Sequence, residues 1–192
     1  MKNSPACPQP RQVRSFWAQL VSQAIQQGAS TPFYLFSTMP VANALKSLAI
    51  VENRVPVPVR HWFPVKAQPL APLLKWWHAQ HRPVEVSSEY ELLAARETGF
   101  SPNDILVNGP AKSWLCRHTN MRGLRVNIDS ASELKELVPI AKPRHWNFGV
   151  RCLTSQEVDP HHQSRPTQFG LEPTQAVTVI RELLAAGANL DT

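Results

Sequence analysis

Five short apolar runs, at residues 60–66, 84–88, 104–108, 124–128 and 146–153, alternate with stretches whose apolar residues recur at helical spacing, at 69–80, 89–98, 130–138 and 174–186. A strand, a helix and a second strand in succession place the two strands parallel, because the crossover returns the chain to the edge it left. The alternation therefore predicts an α/β architecture, a parallel sheet with helices packed outside it. Residues 111–122 are a weaker helix in the same series. The segments are not close copies of one another, which argues against a solenoid. Eighteen prolines punctuate the periodic stretches, Pro69, Pro83, Pro102, Pro110, Pro139 and Pro143 among them, and favour short elements over long helices.

A closed barrel of alternating strands and helices takes eight strands and typically about 250 residues. With five such runs in 192 residues, the chain reads as the first part of one. Upstream, Phe16, Leu20, Val21, Ala24 and Ile25 lie at helical spacing in residues 15–27, ahead of Gly28. A β-prone run led by proline follows at 31–37, then a helix at 40–48. The expected division is an N-terminal tail and helix over 1–30 and a barrel portion over 31–192. Ser88 with Glu91, and Ser130 with Glu133, carry the spacing of a capping box and mark two strand-to-helix turns.

At 43% hydrophobic residues, the chain can bury a sizeable core, which excludes disorder over most of its length. The formal charge of +6 is spread along the chain and reads as solvated surface, so nucleic-acid binding is not expected. Cys7, Cys116 and Cys152 are odd in number and outside any CxxC pattern, which supports neither a disulfide framework nor a zinc site and suits a reducing cytoplasm. Nor do Cys116 and Cys152 have an evident base beside them for nucleophilic work. No apolar run is long enough for a signal peptide or a membrane span. His161 and His162, after Asp159, lack a third ligand at fixed spacing and read as a solvated loop rather than a metal site. Trp76 and Trp77 read as one buried and one partly exposed aromatic on a helix.

The residue that carries chemistry is Lys66, at the end of the pattern His61-Trp-Phe63-Pro-Val65-Lys66-Ala-Gln68. Reactive groups of α/β barrels sit at the carboxyl ends of strands. Flanked by Phe63 and Val65, a lysine there is expected to be partly desolvated, which lowers its pKa and frees the amine to attack an aldehyde. The plainer reading of a strand-end lysine is a surface or salt-bridging residue. Glu91 as a helix cap and Arg151 as an ion-pair partner have equally plain readings.

Taken in order, Thr31-Pro-Phe-Tyr-Leu-Phe-Ser37, Phe63-Pro-Val-Lys66-Ala-Gln68, Glu85-Val-Ser-Ser88-Glu-Tyr-Glu91-Leu92, Ile105-Leu-Val-Asn-Gly-Pro-Ala-Lys112, Leu124-Arg-Val-Asn-Ile-Asp-Ser130, Val150-Arg151 and Phe169-Gly-Leu171 resemble the fold-type III pyridoxal-phosphate decarboxylases, the ornithine, diaminopimelate and arginine decarboxylase group. The resemblance runs from Thr31 to the end of the chain. It implies a partial (β/α)8 TIM-type barrel of the alanine racemase-like class, without the later strands and the C-terminal β-domain that receives the strand matching residues 33–37. It implies pyridoxal 5'-phosphate as cofactor, Lys66 as the Schiff-base lysine, and Ser88, Glu91 and Arg151 as cofactor-binding residues, with Glu91 near the lysine. Pro64 and Gln68 stand where the family's motif has alanine and asparagine, and Glu89-Tyr90 are bulkier than its small residues.

The implied reaction is removal of the α-carboxylate of a basic or diamino acid through a Lys66 aldimine, by a lyase of amino-acid metabolism. All seven glycines are isolated, so no glycine-rich phosphate loop is present, and no acid partner for the pyridine nitrogen is identifiable. The expectation is a truncated chain, incomplete and inactive alone, whose partners are an amino-acid substrate and either a second copy, as a homodimer, or a complementing C-terminal half. The competing expectation is a noncatalytic partial barrel that binds a partner, or a remnant.

Overall fold

The computed structural model describes residues 10–118, 120–153 and 169–191. The chain divides into two compact units, Met1–Pro56 and Val57–Thr192. The first contains α1 (Pro10–Gln26) and α2 (Met39–Glu52). α1 starts earlier than its spacing predicts, and α2 runs past both of its predicted ends. The β-prone residues 31–37 form no strand, because β-propensity reports fit to a pleated surface and is not realised without a ladder partner.

In the second unit, β1 (Phe63–Pro64), β2 (Val84–Val86), β3 (Ile105–Val107), β4 (Arg125–Ile128), β5 (Asn147–Val150) and β6 (Asn189–Leu190) form one sheet in the order β1-β2-β3-β4-β5-β6, every neighbouring pair parallel. Sequential parallel order is the winding of a barrel. The crossovers carry α3 (Ala71–Ala79), α4 (Glu89–Glu97), α5 (Ala131–Ala141) and α6 (Pro173–Ala185). Between β3 and β4 the expected weak helix is a 3-10 segment, Lys112–Arg117. β6 adds a sixth strand to the five expected; at two residues it is too short to stand out as an apolar run, and only its ladder with β5 reveals it.

Alternation along each strand makes two faces. On one, Val84, Val86, Ile105, Val107, Val126, Ile128 and Phe148 are almost wholly buried, as are Leu92 and Ala95 of α4, Leu137 of α5 and Leu183 of α6. Burial of each large aliphatic side chain is worth roughly 1.5–3 kcal/mol, and this layer is the core. It also overrides local propensity: α5 continues through Pro139 to Ala141, past the predicted end at residue 138, with Leu137 and Ala141 both buried. Trp77 of α3 is buried and donates from Nε1 to the Pro83 carbonyl at 2.9 Å, while Trp76 is half-buried, as expected of the pair.

The opposite face follows the register Pro64, Glu85, Leu106, Arg125, Asn147, Asn189, one residue per strand. Sheets of this class are usually apolar on both faces; here the second face is mostly polar and its charges are paired. Arg125 Nε donates to Asp191 Oδ2 at 2.6 Å and Nη1 to the Asn103 carbonyl at 2.6 Å. The Arg60 and Arg125 guanidinium carbons lie 4.7 and 5.6 Å from the centre of the Trp62 ring. Among the described residues, no helix is long and apolar enough to cross a membrane.

Leu137→Ala opens a cavity beneath α5 and is expected to cost about 2–5 kcal/mol, read as a lowered urea midpoint; an unchanged midpoint would show that α5 does not seal the sheet.

Candidate functional site

Because all six strands are parallel, the residues that follow them lie along one edge of the sheet. Lys66 follows β1, Ser87 and Ser88 follow β2, Asn108 follows β3, Asp129 follows β4 and Arg151 follows β5. The ladder hydrogen bonds continue into this edge: Asn108 N donates to the Val86 carbonyl at 2.8 Å and Arg151 N to the Ile128 carbonyl at 2.9 Å.

Lys66 lies in a 3-10 turn, Val65–Ala67, rather than on the strand expected over 60–66. The turn buries Val65 completely and turns the lysine outward, so its side chain is 59% exposed. The expected desolvation by Phe63 and Val65 is therefore corrected: Val65 belongs to the core and the amine to the open edge. Its ion-pair partner is Glu85, with Nζ 3.5 Å from Oε1. The Asn108 amide donates from Nδ2 to the same oxygen at 3.4 Å. The carboxylate joined to Lys66 is thus Glu85, one strand over, while Glu91 lies in the first turn of α4.

Ser88 and Glu91 close the first turn of α4. Glu91 N donates to Ser88 Oγ at 3.3 Å, and the Glu91 carboxylate accepts from Ser87 N at 2.9 Å and from the Ser87 hydroxyl. The first bond satisfies one of the amides that a helix start leaves unpaired, and the others hold the residue just before the cap. α4 packs in turn against the Val65–Ala67 turn that holds Lys66.

The matching turn after β4 departs from the predicted capping box. Ser130 makes no side-chain cap, and its hydroxyl pairs with that of Ser132 at 2.9 Å. Glu133 is buried and reaches back to Asp129 N at 2.9 Å. It also accepts from Lys112 N at 3.2 Å and from Lys112 Nζ at 2.9 and 2.7 Å. Lys112 has no exposed surface, and its ammonium also donates to the Gly109 carbonyl. Left-handed backbone at Gly109 and Ala111, φ 89° and 57°, curls this loop so that the lysine points inward. Burial pushes the Lys112 ammonium below its ordinary value, against the opposing pull of Glu133 and Asp129.

The side chain of Asp129 is almost completely buried. Its Oδ1 accepts from Gly170 N at 3.0 Å and lies 3.6 Å from Arg151 Nη1. Arg151 is partly exposed, with its guanidinium carbon 4.5 Å from the centre of the Phe169 ring. Gly170, at φ 83°, lies so close to residues 151–153 that a Cβ would stand 3.1 Å from the Arg151 carbonyl oxygen. Asn108 Oδ1 and Asp129 Oδ2 are buried without a hydrogen-bond partner among the described residues.

Of the expected site residues, Lys66, Ser88, Glu91 and Arg151 all lie on this edge, the first joined to Glu85, the last to Asp129, and the other two to the start of α4. The structure also brings Asn108, Lys112, Asp129 and Glu133 to this edge; they are not among the expected site residues, although Lys112 ends the Asn-Gly-Pro-Ala-Lys run and Glu133 has capping spacing. The segment with Asp159, His161 and His162, and Cys7, lie outside the described residues.

The family described as pyridoxal-dependent decarboxylase, pyridoxal binding domain, matches residues 42–190. No curated protein matches the chain. Among solved structures, it is similar to diaminopimelate decarboxylase from M. jannaschii in complex with L-lysine, at 18% identity and TM-score 0.69, covering 89% of this chain and 42% of that one. Arginine decarboxylase of Paramecium bursaria Chlorella virus, bound to agmatine, matches at 18% identity and TM-score 0.68, over 90% and 45%. Ornithine decarboxylase from Entamoeba histolytica matches at 23% and 0.62, over 93% and 48%. The likeness carries the fold, a partial TIM-type barrel, and the chain spans less than half the length of these structures.

Two outcomes are expected at this edge. Lys112→Met alone leaves Glu133 buried and unpaired and should cost about 3–5 kcal/mol in urea unfolding; a cost near zero would show that the pair is not buried in solution. Glu89, at the start of α4, is held below the usual 4.5 by hydrogen bonds from Arg117 and His118. Its contribution to stability is present above pH 4.5 and lost as pH falls through the lowered value. The stability gap between wild type and Glu89→Gln should therefore shrink below pH 4.5, and a gap independent of pH would exclude the link.

Proposed function

The chain belongs to the pyridoxal-dependent decarboxylase family through its pyridoxal-binding domain, and on that premise we propose that it is the lysine-bearing part of an amino-acid decarboxylase acting on a basic or diamino acid. The observation that carries the reading is the exposed Lys66 amine at the end of β1, 3.5 Å from the Glu85 carboxylate, on the edge where all the strands end.

The residues present fit the aldehyde end of pyridoxal phosphate. A primary amine is open to approach, a carboxylate beside it can accept its proton, and the cation of Arg151 lies farther along the same edge for an anionic group. When bound, the cofactor supplies an electron sink for the pair left at the α-carbon as carbon dioxide departs. Lys66 would hold the cofactor at its aldehyde end. Glu85 orients Lys66 Nζ and can hold its proton, while Asn108 Nδ2 orients the Glu85 carboxylate. Ser88 and Glu91 act on the site by fixing the start of α4, which supports the lysine turn, and Arg151 binds the cofactor from β5. The partners proposed for decarboxylation are the amino-acid substrate and a second copy or a complementing C-terminal half, in the cytoplasm.

The test is borohydride reduction of the chain with pyridoxal phosphate, followed by peptide mass mapping. Phosphopyridoxyl label is expected on Lys66, absent in Lys66→Ala and retained in Lys75→Ala. Label spread evenly over surface lysines would overturn the reading and favour a noncatalytic barrel, in which Lys66 is only the ion-pair partner of Glu85.

A further inference from the structure

The edge carries two groups of side chains. Lys66 and Asn108 follow β1 and β3, Glu85 lies within β2 between them, and the three are joined through Glu85. Asp129 and Arg151 come from the ends of β4 and β5, with Gly170 hydrogen-bonded to Asp129. Between them stands the Lys112–Glu133 pair. Lys112 Nζ holds the carbonyl of Gly109, the residue after Asn108, while Glu133 Oε2 holds the amide of Asp129. One buried ion pair therefore ties the backbone at the end of β3 to the backbone at the end of β4.

Stability alone does not account for such a pair. Two charges taken out of water lose about as much in hydration as they gain from each other, and well-packed apolar side chains often do as well. Leu115, Leu134 and Leu137 fill neighbouring space in that way. Apolar groups, however, cannot grip a particular carbonyl and a particular amide. We propose that Lys112 and Glu133 are positioning residues that set the spacing between the Lys66 group and the Arg151 group, so that a single ligand with an aldehyde at one end and an anionic group at the other engages both. The identity of that ligand rests on the pyridoxal phosphate reading; the brace itself does not.

The test replaces the pair by apolar side chains, Lys112→Met with Glu133→Leu, in the full chain. The double variant avoids leaving either charge unpaired and should melt above Lys112→Met alone. In the ligand-free protein, hydrogen exchange at Gly170, whose amide bonds to Asp129, should accelerate about tenfold or more, while the amides of β4 keep their protection. Pyridoxal phosphate, titrated well below the melting temperature, should bind about tenfold or more weakly, because a site displaced by a fraction of an ångström no longer serves both ends of a ligand. A folded double variant with wild-type exchange at Gly170 and wild-type affinity overturns the proposal. If the double variant does not fold, Glu133→Gln keeps the shape and removes the charge; accelerated Gly170 exchange in it supports the brace, and unchanged exchange overturns it. A wild type that takes no label on Lys66, together with accelerated Gly170 exchange in the variant, removes the proposed function and leaves the brace standing.

Discussion

Alternation along six parallel strands sends every second side chain to one face and the rest to the other, and in this chain the two faces are chemically unlike. Val84, Val86, Ile105, Val107, Val126 and Ile128 form a closed apolar layer under the helices. The register row from Glu85 through Arg125 to Asn147 carries polar groups into a face that most parallel sheets keep apolar. A polar group there must find a partner or lose free energy. Arg125 finds Asp191, the Asn103 carbonyl and the Trp62 ring, and Glu85 finds Lys66 and Asn108. The same alternation thus builds the core on one side and prepares the polar edge on the other.

The strand-to-helix turns after β2 and β4 use one device with different results. In each, a glutamate in the first helical turn reaches back to the amide just before the cap, Glu91 to Ser87 and Glu133 to Asp129. After β2 the glutamate ends its work there, as a cap. After β4 it is also covered by Lys112, and the cap becomes the anchor of a buried ion pair that spans two loops. What separates the two is the Gly109–Ala111 loop, whose left-handed residues bring a lysine to one glutamate and not to the other.

Much of the chain was legible before its structure. The strand and helix series follows from apolar spacing, and the family follows from motifs in order. The place of Lys66 at the end of the first strand was legible because strand-end position is a local property. Its surroundings were not, since whether Phe63 and Val65 screen the amine depends on a tight turn that sends Val65 to the core and the lysine outward. The resemblance implies Glu91 near Lys66, and the carboxylate that pairs with the lysine is Glu85, a strand residue of the same motif in register with Pro64. Lys112 ends one of the motifs, but nothing within a few residues of it reports that Glu133 will pair with it in the interior.

The sequence by itself determined the order of elements, the parallel pairing that such an order requires, the apolar face of each strand and the lysine at the first strand's end. These rest on interactions between residues a few positions apart, whose spacing is written in the chain. Only the tertiary structure decided which carboxylate meets Lys66, that Glu133 pairs with Lys112 rather than merely capping α5, that α5 runs through Pro139, and that Asp129 joins Gly170 and Arg151. Those outcomes depend on strand register and on burial by distant segments, where the cost of an unpaired charge or an exposed apolar side chain outweighs local preference.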